Sequence, residues 1–177
     1  MAALTGLAPA KVNLFLHVGP VDVDGFHPLA SLVAFADIGD RVTVRPSDRL
    51  SLAVTGAFAD ALDGPGDNLI LRALRALGHA AGIGEPPLAV TLDKRLPIAA
   101  GLGGGSSDAG AALRLARDVL DLPFDDVALA RVARAIGADG KPRSSFCSTS
   151  ARRSGSGSRV STRLHCQPAS RRRPTCQ

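Results

Sequence analysis

Pro97-Ile-Ala-Ala-Gly-Leu-Gly-Gly-Gly-Ser-Ser-Asp-Ala-Gly110 decides how this chain is read. The glycines at 101, 103, 104 and 105 remove the Cβ that would block a close approach to the backbone amides or forbid positive φ. Two serines follow. Then Ala109, Ala112, Leu113, Ala116 and Leu120 recur at helical spacing. A flexible loop running into a helix presents unpaired N–H groups and the positive end of the helix dipole. That combination cradles phosphate or another anion. The competing reading is a glycine turn without a ligand, its helix capped by Ser106 and Ser107. A Walker A loop is excluded, because no Gly-Lys pair occurs in the stretch. A dinucleotide fingerprint can be traced through Gly101, Gly103 and Ser106. Its last position is not glycine, and Leu96-Pro97 precedes it in place of a strand end.

Upstream of the loop, Leu88–Leu92 reads as a strand that enters it through Asp93-Lys94-Arg95. Ala10–Val18 is a strand whose polar face carries Lys11 and Asn13. Gly19 to Pro28 is a turn region, and Leu29–Ala36 is a further apolar run. Arg41–Arg45 and Leu50–Val54 read as short strands separated at Pro46-Ser47-Asp48. Asp67 or Asn68 caps a helix to about Ala81, with Gly78 or Gly82 at its end. Ser106–Leu120 forms a second helix, and Pro123 breaks the chain. Asp125 or Asp126 starts a third helix to about Ile136, followed by Gly137-Ala138-Asp139. Strands that neighbour one another in sequence predict an α+β domain, not a doubly wound sheet.

The charge is divided along the chain. Residues 1–139 carry twelve Lys/Arg and all sixteen Asp/Glu, while residues 140–177 carry nine Lys/Arg and no acid. The net charge of +5 is therefore an average over an acidic body and a basic tail. All three cysteines and nine serines also fall in the tail. With no apolar periodicity, that segment is expected to be disordered. It is either a native tail or the product of a shifted reading frame, and the abrupt loss of acids favours the shift. Nothing approaches the roughly 20 apolar residues needed to span a bilayer, and no secretory leader is evident. A soluble, cytoplasmic protein is expected.

Pro97-x-x-x-Gly101-Leu-Gly103-Gly-Gly-Ser106-Ser107 resembles the phosphate loop of the galactokinase, homoserine kinase, mevalonate kinase and phosphomevalonate kinase superfamily. Ala8-Pro-Ala-Lys11-Val-Asn13-Leu-Phe-Leu resembles that superfamily's first motif. Three further stretches narrow the likeness: Asp24-Gly25-Phe26-His27-Pro-Leu29, Gly66-Asp67-Asn68-Leu69-Ile70 and Asp93-Lys94-Arg95-Leu96-Pro97. Together they are similar to the 4-diphosphocytidyl-2-C-methyl-D-erythritol kinase family of the non-mevalonate isoprenoid pathway, from about Ala8 to Asp139. The likeness implies an N-terminal kinase domain over 1–139, ribosomal protein S5 domain 2-like, with the C-terminal domain missing. It also implies ATP-dependent phosphorylation of the substrate's 2-hydroxyl, impaired in such a chain.

Site residues follow from the same likeness. Lys11 and Asp139 are catalytic, the lysine stabilising negative charge and the aspartate receiving the hydroxyl proton. Pro97, Gly101, Leu102, Gly103, Gly104, Gly105, Ser106 and Ser107 hold the ATP phosphates, with Ser107 toward Mg²⁺. Asn68 contacts adenosine or is simply a helix cap. Asn13, Phe26 and His27 bind the cytidine diphosphate-linked substrate, Phe26 by stacking unless it is a core anchor. Lys94 approaches the nucleotide or ends a solvated strand, and Asp108 points away from the phosphates. The rival reading is a phosphate-binding module whose basic tail holds nucleic acid non-specifically; no membrane partner is expected.

Overall fold

The computed structural model describes residues 2–21, 27–62 and 68–136. Four strands, β1 (Leu4–Val18), β2 (Leu29–Pro46), β3 (Ser51–Thr55) and β4 (Leu88–Asp93), form one sheet in the order β1-β2-β4-β3. β2 runs antiparallel to both β1 and β4, and β3 runs parallel to β4. Three helices, α1 (Leu69–Ala80), α2 (Gly104–Val119) and α3 (Asp126–Ile136), form the second layer. The expected α+β domain is therefore present. Among the described residues, no helix is long and apolar enough to cross a membrane.

The core lies between the layers. Val42, Val44, Leu88, Val90 and Leu92 project from the sheet onto Ile70, Leu74, Leu77 and Leu113 of the helices. Burying each of these larger side chains contributes roughly 1.5–3 kcal/mol. α2 lies against β1 and β2 because its inward stripe is small. Ala109, Ala112 and Ala116 are buried on α2, and Ala8 and Ala10 are buried on β1, the strand α2 packs against.

β2 differs most from the sequence expectation. Leu29–Ala36 and Arg41–Arg45 are parts of one continuous 18-residue strand. Asp37-Ile38-Gly39-Asp40 reads as a breaker, but a register irregularity absorbs it. Pro9 pairs with Gly39 and Lys11 with Phe35, so three residues of β2 stand opposite Ala10 alone. Gly39 is required there, since a Cβ would lie 2.1 Å from the Ala8 carbonyl oxygen. β1 likewise starts at Leu4, ahead of the expected Ala10.

Beyond this irregularity the β1–β2 hairpin leaves Val12, Leu14, Phe15, Leu16, Val18, Phe35 and Ile38 exposed. β1 is also a sheet edge. Such an edge and apolar face are an association hazard.

α1 begins as expected. The Asn68 side chain accepts from the Ile70 amide at 2.9 Å. Gly82, at φ +70°, ends it, while Gly78 stays inside the helix. Glycine within a helix usually costs about 1 kcal/mol relative to alanine. Here a Cβ at position 78 would sit 2.0 Å from the Gly84 carbonyl oxygen and 2.8 Å from Pro86 Cδ. Gly78→Ala is therefore expected to destabilise the chain by about 2 kcal/mol despite its better helix propensity. Urea denaturation measures this, and a stabilised variant would contradict the packing described.

Candidate phosphate site

α2 begins at Gly104, two residues before the expected Ser106. Its N-cap is Gly103, in the left-handed region at φ 65°, with no side-chain cap. Ser106 and Ser107 are therefore not caps; they lie inside the first turn. A glycine cap supplies no oxygen to bond the first-turn amides. Those amides stay open to a ligand, and an added Cβ at Gly101 or Gly105 would meet nothing within 4 Å. The first turn thus joins open space to unpaired N–H groups, as anion binding requires.

β1 meets this loop directly. The Lys11 amide donates to the Leu102 carbonyl at 2.8 Å. The Lys11 stem runs along Gly103, whose Cβ would lie 3.4 Å from Lys11 Cβ and Cε. Ser107 Oγ donates to the Pro9 carbonyl at 2.8 Å. That bond uses the hydroxyl's one proton and leaves its lone pairs. Among the described residues, Lys11 has no ion-pair partner.

Beneath the loop lies a group that sequence reading missed. Lys94 is 4% exposed, Asp40 0% and Asp108 3%. Lys94 Nζ donates to Asp40 Oδ2 and, at 3.1 Å, to Asp108 Oδ2. Asp40 Oδ1 accepts from the amides of Arg95 at 2.6 Å and Leu96 at 2.8 Å. Lys94 is thus neither a solvated strand end nor exposed toward a nucleotide. Asp108 points away from the open face, as expected, into this cluster. One signal was available: Asp108 shares the helical stripe of Ala112 and Ala116, where an acid is out of place.

The three groups titrate differently. Burial raises the Asp40 carboxyl, but the Lys94 hydrogen bond and the two amides outweigh it and hold it below its ordinary value. Burial lowers the Lys94 ammonium, and its bond to Asp40 and the Asp108 charge more than reverse this. Asp108 is pushed up to about 7 by burial, with Lys94 opposing and the Asp40 charge reinforcing.

The remaining candidates spread outward. The register is unbroken from Lys11 to Asn13, so both lie on one face of β1. Ser31 Oγ sits 3.4 Å from Asn13 Oδ1 but only 2.7 Å from the Phe15 carbonyl. The shorter bond takes its single proton and leaves Asn13 available. His27 stands at the far end of the hairpin, not beside the loop, with Nδ1 2.7 Å from the Gly19 carbonyl. A carbonyl only accepts, so Nδ1 carries the proton and Nε2 is left as an acceptor in the neutral ring. Asn68 serves as the α1 cap, which keeps its NH₂ for other partners. Next to it, Leu69, Ser106, Ala109, Gly110, Leu113, Ala133 and Ile136 line a shallow, open, mostly apolar cleft beside the first turn of α2. Pro97 is exposed at the loop entry. Phe26, Asp139 and the basic tail lie outside the described residues.

Residues 68–146 match the family model described as the GHMP kinases N terminal domain. A 4-diphosphocytidyl-2-C-methyl-D-erythritol kinase of Caulobacter vibrioides is 53% identical over 137 residues, 77% of this chain and 47% of the relative. A crystal structure of 4-(cytidine 5'-diphospho)-2C-methyl-D-erythritol kinase is 38% identical with a TM-score of 0.63, over 77% of this chain and 47% of that one. Lactococcus lactis galactokinase, at 16% identity and a TM-score of 0.57 over 81% of this chain and 39% of its own, shares the fold. The chain spans about half the length of the curated relatives it matches.

The titration of Asp108 has a definite sign. Unfolded, the carboxyl releases its proton near 3.8; folded, it holds the proton to about 7. Between those values the unfolded chain binds fewer protons, so stability falls as pH rises and levels off above about 7. The expected fall is on the order of 4 kcal/mol. It should be absent in Asp108→Asn, as read by urea midpoints from pH 4.5 to 8.

Proposed function

We propose that this chain, which carries the N-terminal domain fold of the GHMP kinases, supplies the ATP-phosphate site for phosphorylation of the 2-hydroxyl of 4-diphosphocytidyl-2-C-methyl-D-erythritol. The observation that carries this reading is the uncapped, glycine-lined start of α2, bonded through Leu102 to the strand that presents Lys11. Phosphoryl transfer asks the protein chiefly for positioning and charge stabilisation. The amides of Gly104, Gly105 and Ser106 would hold phosphate oxygens. The neighbouring apolar cleft would take the adenine, with the Asn68 NH₂ at its edge. Lys11 would stabilise the charge that develops as the substrate oxygen bonds the γ-phosphorus and the bond to ADP breaks. Asp139 would accept the hydroxyl proton.

Ser107 fits Mg²⁺, since a hard hydroxyl oxygen with lone pairs to spare suits that ion and phosphates complete its coordination. When bound, Mg²⁺ would neutralise the triphosphate. Among the described residues there is no cluster of three or more His, Cys, Asp or Glu. A resident all-protein metal cage is therefore not part of this reading.

The substrate end is read from the hairpin. His27 Nε2, as an acceptor, suits the exocyclic amine of cytosine. Phe26 would stack on the ring and Asn13 would bond the diphosphate. His27 and Lys11 are separated by on the order of 25 Å of strand. An elongated, nucleotide-linked substrate matches that separation better than a free sugar does.

We read residues 140–177 as the product of a shifted frame after the 1–139 domain, because all acids vanish there while nine Lys/Arg accumulate. The coding DNA past codon 139 tests this: an alternative frame opening on an apolar strand supports it. Salt-sensitive nucleic-acid binding that is lost on deleting 140–177 would instead favour a native basic tail.

A chain joining residues 1–139 to the C-terminal half of the Caulobacter relative is expected to transfer labelled phosphate from ATP to the substrate. In it, Lys11→Ala and Asp139→Asn should each lower kcat by about 10²–10⁴-fold, with ATP affinity little changed in Asp139→Asn. A folded chimera without transfer, or one indifferent to Asp139→Asn, would refute the proposed chemistry.

A further inference from the structure

We propose that Asp108 is a positioning residue for the phosphate loop, acting through Lys94; the inference rests on the phosphate-binding reading above. Lys94 is 4% exposed and does not reach a ligand in the open space. Its ammonium lies 3.0 Å from where a Cβ on Gly104 would stand, directly under the first residue of α2. The loop therefore rests on this cation without exposing it.

Both ends of the loop are referenced to that one ammonium. On the entry side, Asp40 accepts from Lys94 and, through its other oxygen, from the amides of Arg95 and Leu96. On the exit side, Asp108, at the start of the second turn of α2, accepts from Lys94 at 3.1 Å. Between them, Pro97 to Gly101 are exposed and contribute no buried side chain to hold the segment. Among the described residues, the links from the loop and first turn to the body are the Leu102 carbonyl on Lys11, the Ser107 hydroxyl on the Pro9 carbonyl and the Lys94 ammonium beneath Gly104.

Asp40 already satisfies the entry, with three donors on one carboxylate. Asp108 adds one bond and leaves Oδ1 buried without a partner. A buried acid with an unsatisfied oxygen is a poor device for stability. Its single bond is better explained by where it holds the N-terminal end of α2, one turn beyond the open amides. Without Asp108, Lys94 stays on Asp40 and the core is unchanged. The amides of Gly104 to Ser106 then lose their fixed height over the cation. Pre-organised donors bind more tightly than donors that must be ordered on binding. The loss should therefore fall on the triphosphate and spare the nucleoside.

The test compares ATP and adenosine binding by titration calorimetry at one pH, on the full chain and its variants. Asp108→Ala is expected to weaken ATP by about tenfold or more and adenosine by less than about twofold. Asp108→Asn, whose amide oxygen still accepts from Lys94, should return ATP affinity to within about threefold. In the ligand-free chain, amide exchange at Gly104 to Ser106 should speed by about tenfold in Asp108→Ala, with α1 unchanged. Should the alanine chain not fold, Asp108→Ser, polar but too short to reach Lys94, carries the same comparison. Equal loss of ATP and adenosine, unaltered loop exchange, or an asparagine variant as impaired as alanine would each overturn the inference. If the unaltered chain binds no ATP, the phosphate reading fails, and the exchange measurement alone then decides the positioning role.

Discussion

The Lys94 ammonium, buried between Asp40 and Asp108, is the constraint on which the site depends. It joins β2, the end of β4 and the N-terminal half of α2 at one point. Removing these charges from water costs several kcal/mol per ion, which the mutual attraction repays only with good geometry and full hydrogen bonding. Asp40 achieves that with Lys94 and two amides. Asp108 does not, and its carboxyl gives way by holding a proton into the neutral range. The cluster is therefore weak evidence for stability and stronger evidence for fixed geometry. It fixes the strand-to-loop turn that the glycines alone would leave free.

That division explains the chemistry of the loop. Glycine supplies openness at the cost of chain entropy, and Gly101 and Gly103 take positive φ of 74° and 65°. Ala99 takes φ 58° without being glycine, a conformation that costs an L-residue roughly 1–2 kcal/mol. A segment so permissive and so strained needs an external reference. The register irregularity at Gly39 supplies part of it by bringing Asp40 under the loop. The same irregularity leads into the open hairpin, so the buried anchor and the exposed apolar face share one origin.

The sequence showed the loop, the three helices and the direction of the anion site, because glycine runs and helical periodicity are local signals. It hid the continuity of β2, since Asp37-Ile38-Gly39-Asp40 has a breaker's composition and the bulge that absorbs it lies across the sheet. It also hid the lysine cluster. Lys94 follows Asp93 and precedes Arg95, which reads as a solvated charge run, and Asp40 lies 54 residues away. Asp108 on an alanine stripe was the visible clue, but its partners are set by tertiary pairing. The cap was misplaced for a related reason. Serines at a helix start read as caps, yet here glycine occupies that position and leaves the amides free.

Two lysines flank the loop, and burial gives them opposite roles. Lys94 is close beneath the amides, but two carboxylates neutralise it. The cluster carries no net positive charge when Asp108 is protonated and a negative one when it is ionised. Its field therefore adds little attraction for an incoming phosphate. Lys11 is half-buried and has no ion-pair partner among the described residues, so its charge is not spent within the fold. Recognition of phosphate by backbone amides depends on geometry, while stabilisation of a developing charge needs an uncommitted cation. The structure separates these tasks: Lys94 holds the shape of the cradle, and Lys11 is left to supply the charge.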